Sequence, residues 1–349
     1  MSRTCQILVI ADDLTGAADT GVQFCPAVGP VLLTDSVEPG LTESAIRATG
    51  ICVFTNTRHQ NAETAALRVH AEAMRIRGLA PRMIYKKIDS CLRGNLGVEI
   101  EALLQATAAV ASFVAPAYPQ QGRTTVGDVH RIDGVPVAQT EIGRDPRCPV
   151  NESRLSVLLA TQCELPVGHV DLACLEGGDD ALAGHVHGLL DQGCRHIAFD
   201  AERPVHLDAI AGLARHRFED ILLVGSAGLA AGLARILVRE LPPPAAGRPG
   251  IKRWLLVCGS ASQVLADQAA QLAQATGWLH LAIDPSRLST GGGPTPSEPW
   301  MAKRIDDWGD GGLILSIAPL AESGPTEPPE RVVQGLACLA AVLLRAGNP

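Results

Sequence analysis

Short apolar runs and helix-patterned stretches alternate along almost the whole of this sequence, and that rhythm limits the fold more than any other feature. Candidate strands are Gln6–Ala11, Pro30–Thr34, Ile51–Thr55, Met83–Ile88, Ser112–Ala115, His196–Ala201, Ile221–Gly225, Trp254–Cys258 and Gly312–Ile317. Helical patterning covers Ala62–Gly78, Leu96–Thr107, Asn151–Cys163, Gly178–Gln192, Ser226–Glu240 and Ser262–Thr276. Strands separated by helices of such length build βαβ units and mostly parallel sheets. The expectation is an α/β protein whose sheets are flanked by helices. A length of 349 residues suits two domains. The proline-rich stretch Pro242–Gly250 reads as a stiff linker, dividing a first domain, 1–241, from a second, 251–349. Ser286–Pro299, rich in Gly, Pro, Ser and Thr, reads as a loop within the second domain.

Polar groups collect at the ends of two of these strands. Ile7-Leu-Val-Ile-Ala runs into Asp12, Asp13, Thr15 and Gly16, and Met83–Ile88 leads through Lys86 and Lys87 into Asp89, Ser90, Cys91, Arg93, Gly94 and Asn95. In open α/β sheets ligands bind in the crevice beyond the carboxyl ends of the strands. Two lysines and an arginine near a helix N-terminus make a site for an anion, since fixed cations and free N–H groups converge there. The bland alternative is a solvated charged turn. One aspartate of the pair is expected to cap the following helix. Adjacent carboxylates are also expected to point apart, which weakens a phosphatase reading that needs Asp-x-Asp-x-Thr. Arg58 ends the third strand and Arg123 follows the fifth, and the planar guanidinium suits carboxylate or phosphate. Gly225-Ser226 and Gly259-Ser260-Ala-Ser262 open helices after strands and offer backbone N–H groups to a phosphate, or simply let helix and strand pack closely. Neither matches a Walker loop or a dinucleotide fingerprint.

Composition removes several other classes. A net charge of −8 and the absence of a basic face exclude a nucleic-acid binder. No apolar run reaches the roughly 18 residues of a membrane span, and the N-terminus lacks a signal-peptide layout. The ten cysteines are scattered and form no C-x-x-C pair or Cys/His ligand spacing. A reducing, cytoplasmic setting is expected, and no metal ligand is named.

The motifs resemble, in order, those of the four-carbon acid sugar kinases: Ile10-Ala-Asp-Asp-Leu-Thr-Gly-Ala-Ala-Asp19, Thr55-Asn-Thr-Arg58, Lys87-Ile-Asp-Ser-Cys-Leu-Arg-Gly-Asn95, Pro116-Ala-Tyr-Pro119 with Gly122-Arg123, Gly225-Ser-Ala-Gly-Leu229, and Gly259-Ser260. The resemblance covers D-threonate, D-erythronate and 3-oxo-tetronate kinases alike. It implies ATP-dependent phosphorylation of a sugar-acid hydroxyl, with an N-terminal domain for the acid, a C-terminal domain for ATP, and Mg²⁺ on the ATP phosphates. Carried over, Asp13 would orient or deprotonate the hydroxyl. Asp12, Arg58, Lys87, Asp89, Ser90, Cys91, Arg93, Asn95 and Arg123 would hold the acid. Gly225, Ser226, Gly259, Ser260 and Ser262 would meet the nucleotide. Cys91 stands where the family usually has Thr. Family members usually continue past a helix such as Val332–Arg345 into a Gly-Gly-[Asp/Glu]-Thr loop, absent after that helix here; Gly291-Gly-Gly-Pro-Thr295 lies too near Ser260 and lacks the acid. An incomplete nucleotide domain is therefore expected, and the alternative is a sugar-acid-binding protein without phosphoryl transfer. The partners implied are small molecules, with neither nucleic acid nor membrane, and homo-oligomerisation is left open.

Overall fold

The computed structural model describes residues 5–36, 50–76, 81–145, 147–218, 220–240, 253–259, 263–288, 308, 311–318 and 329–346. The chain divides into two compact units, Met1–Ala246 and Gly247–Pro349. The proposed linker 242–250, the loop 289–299, Ser260 and Ser262 lie outside the described residues.

The first unit begins with β1 (Ile7–Ala11), α1 (Leu14–Val28), β2 (Val31–Thr34), β3 (Gly50–Phe54), α2 (Ala62–Ile76), β4 (Ile84–Lys87), α3 (Leu96–Ala106) and β5 (Ala111–Ala115). Three short strands follow, β6 (Arg123–Val126), β7 (Val129–Ile132) and β8 (Val135–Pro136). The unit continues with α4 (Leu155–Gln162), β9 (Val167–Val170), α5 (Leu172–Glu176), α6 (Asp179–Asp191), β10 (His196–Phe199), α7 (Pro204–His216), β11 (Ile221–Gly225) and α8 (Ala227–Glu240).

Eight strands form one parallel sheet in the order β2-β3-β1-β4-β11-β5-β10-β9. Its strands are buried on both faces, so β1 reads as an unbroken apolar run rather than an alternating one. Ile7, Val9 and Ala11 belong to the same core cluster as Phe24 of α1, Val186 of α6, Leu207 of α7 and Leu233 of α8. Leu8 and Ile10 point the other way, onto the cluster that holds Val69 of α2, Ile100 of α3 and Leu159 of α4. Each fully buried leucine in these layers contributes about 1.5–3 kcal/mol relative to its exposed state. After β1 the chain moves outward to β2, while β4 pairs on the opposite side of β1. A ligand crevice forms at such a reversal, beyond the strand ends.

The small antiparallel sheet β6-β7-β8 interrupts the parallel plan. Arg123 therefore opens a new strand instead of sitting in a loop after β5. Gly127-Asp128 and Asp133-Gly134 all have positive φ and make the two tight reversals. The second unit contains β12 (Arg253–Cys258), α9 (Gln263–Thr276), β13 (Leu279–Ile283), β14 (Gly311–Ile317) and α10 (Pro329–Ala346). Its strands form a parallel sheet in the order β12-β14-β13. Leu313 and Leu315 of β14 pack with Leu336, Leu339 and Leu343 of α10.

Candidate active site

Beyond β1 the chain leaves extended geometry at once. Asp13 is the N-cap of α1, and its Oδ1 accepts from the Gly16 N–H at 2.9 Å. This change of direction lets two consecutive carboxylates meet one cation, contrary to the expectation that they diverge. Arg58 Nε and Nη2 donate to Asp12 Oδ2 and Oδ1 at 2.6 and 3.0 Å, while Nη1 donates to Asp13 Oδ2 at 2.8 Å. Arg58 reaches this position because the backbone turns through Asn56, at φ 52°, and because Thr57 N–H donates to Asp12 O at 3.0 Å. Burial opposes the charge on Arg58, but Asp12, Asp89 and Asp13 outweigh it and raise the pKa above the ordinary arginine value. Asp12 is the inner carboxylate and Asp13 the outer, with side chains 5% and 25% exposed.

The two lysines of β4 have separate duties, as alternation along a strand requires. Lys86 is fully buried. Its Nζ pairs with Glu99 Oε2 of α3 at 2.7 Å and donates to Lys87 O at 2.9 Å. Burial raises the Glu99 pKa against the opposing pull of Lys86. Glu99 lines a narrow void with Asp12, Arg93 and Asn95, and Thr57 joins Lys86 in opposing that rise. Lys87 is also buried, yet among the described residues it makes no ion pair or hydrogen bond through its side chain. Its Nζ lies beside Gly16 and Asp13, so that any side chain at position 16 would collide with it. It acts through space on Asp19 and Asp89.

The turn after β4 is tightly shaped, with Leu92 at φ 64° and Gly94 at φ 101°. Arg93 Nε donates to Asp89 Oδ2 at 2.7 Å and Nη1 lies 3.5 Å from Asp145 Oδ2. Burial pushes the Asp89 pKa up, but Arg93, Arg58 and Lys87 together hold it below the usual carboxylate range. A Cβ on Gly94 would stand 3.4 Å from Asp12 Oδ2, which is how closely this turn approaches the β1 loop. Asn95 Nδ2 donates to Thr57 O and Gln60 O at 3.1 and 2.9 Å, tying the β3 and β4 loops together. Ser90 O accepts from the buried His130 Nε2 at 2.8 Å. Burial lowers the His130 pKa to about 4 against the Ser90 bond, so this imidazole stays neutral. Cys91 is buried with Arg123 beside it, and burial raises its thiol pKa.

Asp12, Asp13, Arg58, Lys87, Asp89 and Arg93 thus form one connected cluster across the carboxyl ends of β1, β3 and β4. Glu99, Asp145 and His130 were not anticipated; Glu99 carries a signal, an acid on an otherwise apolar helix face. Gly225 is paired with Lys87 in the sheet and is closely packed: Ser226 Oγ donates to Ala117 O at 2.7 Å, and a Cβ on Gly225 would stand 2.6 Å from Ala115 O. That is close packing of α8 on the sheet. Gly259, at the end of β12, is exposed and open, with Leu336 Cδ2 3.9 Å from its Cβ position. A separate cavity of about 650 Å³ lies at the opposite, amino end of β4 and β11 and contains none of the candidate residues.

A family model described as a sugar-binding N-terminal domain matches residues 7–233. A D-threonate kinase of Salmonella typhimurium is 36% identical over 65% of this chain and 53% of its own length. The chain thus spans about half of that relative. A D-erythronate kinase of Heliobacterium modesticaldum is 29% identical over 98% of this chain and 80% of its own. A 3-oxo-tetronate kinase of Escherichia coli is 30% identical over 77% and 70%. Among solved structures, a domain of unknown function from Bordetella bronchiseptica, crystallised with citrate as a domain-swapped dimer, has a TM-score of 0.58 at 28% identity, covering 98% of this chain and 81% of that one. A Haemophilus influenzae protein has a TM-score of 0.76 at 18% identity, over 97% and 83%, and shares the fold.

Proposed function

The chain belongs to the four-carbon acid sugar kinase family, and from that premise we propose that it transfers the γ-phosphoryl group of ATP to a hydroxyl of a threonate-, erythronate- or oxo-tetronate-type acid. One observation carries the reading. Among the described residues Lys87 is a buried cation with no carboxylate in direct contact; Asp12, Asp13 and Asp89 are already paired with arginines, and Asp19 feels Lys87 only through space. Arg58 is committed to Asp12 and Asp13, and Arg93 to Asp89 and Asp145. Lys87 is therefore the group left to take the carboxylate of a small acid, at a strand end where ligands of open α/β sheets bind.

ATP would supply the phosphoryl group and Mg²⁺ would offset the charge of its phosphates. The exposed Gly259 after β12 leaves room for a phosphate that the packed Gly225 and Ser226 do not; Ser260 and Ser262 are kept as nucleotide contacts on the family resemblance alone. Asp12 and Asp13 already share a guanidinium, so the metal ion is assigned to the ATP phosphates. Lys87 anchors the acid, with Asp89, Ser90, Cys91, Asn95 and Arg123 shaping the surrounding turn. Asp13, the outer carboxylate, is fixed by Gly16 N–H and Arg58 and takes the proton of the attacking hydroxyl. Positioning of this kind dominates phosphoryl transfer.

The test is ADP formation by the full chain with ATP, Mg²⁺ and each of D-threonate, D-erythronate and 3-oxo-tetronate. Turnover with one of the acids is expected. Acid-induced thermal stabilisation without ADP formation would favour sugar-acid binding alone, and neither response would remove the reading altogether.

A further inference from the structure

Far from the crevice, near the amino ends of β5 and β10, three residues distant in sequence come together. One ligand atom each from Glu101 of α3, Cys163 at the end of α4 and His196 of β10 lie within 4.8 Å of one another. No spacing in the sequence announces them, because the fold joins three separate elements. We propose that Glu101, Cys163 and His196 form a site for a borderline-soft divalent cation, Zn²⁺ in chemical class, which staples α3 and α4 to β10 of the sheet. The site is independent of the kinase reading.

The donor set selects the ion. Imidazole, thiolate and carboxylate together are zinc ligands, whereas Mg²⁺ and Ca²⁺ prefer all-oxygen shells. The charges also balance: a dication with one thiolate, one carboxylate and a neutral imidazole leaves no net charge in a largely buried place. Outer contacts already orient two of the three ligands, as metal sites require. Ser112 Oγ lies 2.9 Å from His196 Nδ1, which in the Nδ1–H tautomer leaves Nε2 free to coordinate. The Glu164 and Leu165 N–H groups both donate to Glu101 Oε1 at 2.8 Å and pin the carboxylate. His196 Nε2 is hydrogen-bonded to that same oxygen at 3.3 Å, long for a contact of this type, and the ion would take the place of this bond. Tetrahedral coordination needs about 3.3–3.8 Å between ligand atoms, and a contraction of roughly 1 Å or less at the Cys163 side completes it. Cys163 is partly exposed.

Binding forms a metal–sulfur bond and releases the thiol proton to solvent. Because the thiol must lose its proton to bind, affinity should rise with pH.

Chelator-treated full chain titrated with Co²⁺ tests this directly. One equivalent should produce tetrahedral d–d bands and a thiolate-to-cobalt charge-transfer band, and Zn²⁺ should bleach both. Cys163→Ser, at a partly exposed helix end, should retain the wild-type circular dichroism and lose the charge-transfer band. Zn²⁺ should raise the unfolding midpoint of the wild type and not of this variant. Glu101→Gln should weaken Co²⁺ binding at least tenfold. An octahedral aquo-cobalt spectrum throughout, or a thiolate band that survives Cys163→Ser, would overturn the proposal.

Discussion

Removing one charge of the Lys86–Glu99 pair should be among the most damaging single changes available in the first unit. Glu99→Gln keeps shape and size but leaves the Lys86 ammonium, whose side chain is 0% exposed, without its counter-ion 2.7 Å away. Breaking a buried pair by removing one partner costs about 3–5 kcal/mol, roughly a fifth or more of the stability of an ordinary domain. For a unit of this size about 1 kcal/mol shifts the midpoint by roughly 2–4 °C. The expected fall is therefore about 6–20 °C in calorimetry of the full chain, with a matching loss in urea unfolding. The double variant Lys86→Met/Glu99→Leu removes both charges and is expected to lie within about 1 kcal/mol of wild type, or above it. It should still impair function, because the Lys86 bond to Lys87 O disappears with it. A Glu99→Gln loss below about 1 kcal/mol, or a double variant as unstable as the single, would refute the reasoning.

Asp13→Asn retains an N-cap but not a base, so ADP formation should drop about 100-fold or more with the KM for ATP unchanged; equal turnover would remove Asp13 from the chemistry. Lys87→Met should raise the KM for the acid roughly 10–100-fold, the worth of one charged hydrogen bond, and calorimetric titration of the acid checks it independently of turnover. His130 is held neutral in the fold, while the unfolded chain binds a proton near its ordinary 6.5. Its contribution is therefore complete above that pH and is lost as pH falls toward about 4, by about 3 kcal/mol in all. His130→Gln should flatten this part of the stability profile in urea unfolding at pH 7 and 4.5, and an unchanged slope would show that another group is responsible.

Much of the parallel architecture was legible because buried parallel strands declare themselves as apolar runs. β1, β4, β5 and β11 emerge within a residue or two of their predicted ends. The weaker elements had weaker signals. β9 is Val-Gly-His-Val at a sheet edge and α7 opens with Pro204, which reads as a break until it is placed at the first helical position. The β6–β8 meander did carry a signal, since Gly127-Asp128 and Asp133-Gly134 are two-residue hairpin turns between β-rich segments. In the site, the strand-end motifs located Asp12, Asp13, Arg58 and Lys87 correctly in one place. What the sequence hides is pairing. That Lys86 turns inward to Glu99 while Lys87 stays unclaimed depends on which face of β4 meets α3, and that is a tertiary fact.

That pairing separates the roles of two residues that a motif would treat as one. Asp12 ends a strand whose backbone is fixed by Thr55 and Thr57, lies almost wholly inside, and receives two bonds from Arg58. Asp13 begins a helix, accepts one bond from Arg58 through Oδ2, and keeps a quarter of its side chain open. The guanidinium therefore holds the inner carboxylate as a fixed post and the outer one as an oriented acceptor. Adjacent aspartates could not do this along a continuous strand, where they would face opposite sides of the sheet. The strand-to-helix transition between them lets one arginine hold both, and leaves Lys87 beside Asp13 and Gly16 as a buried cation without an ion-pair partner among the described residues.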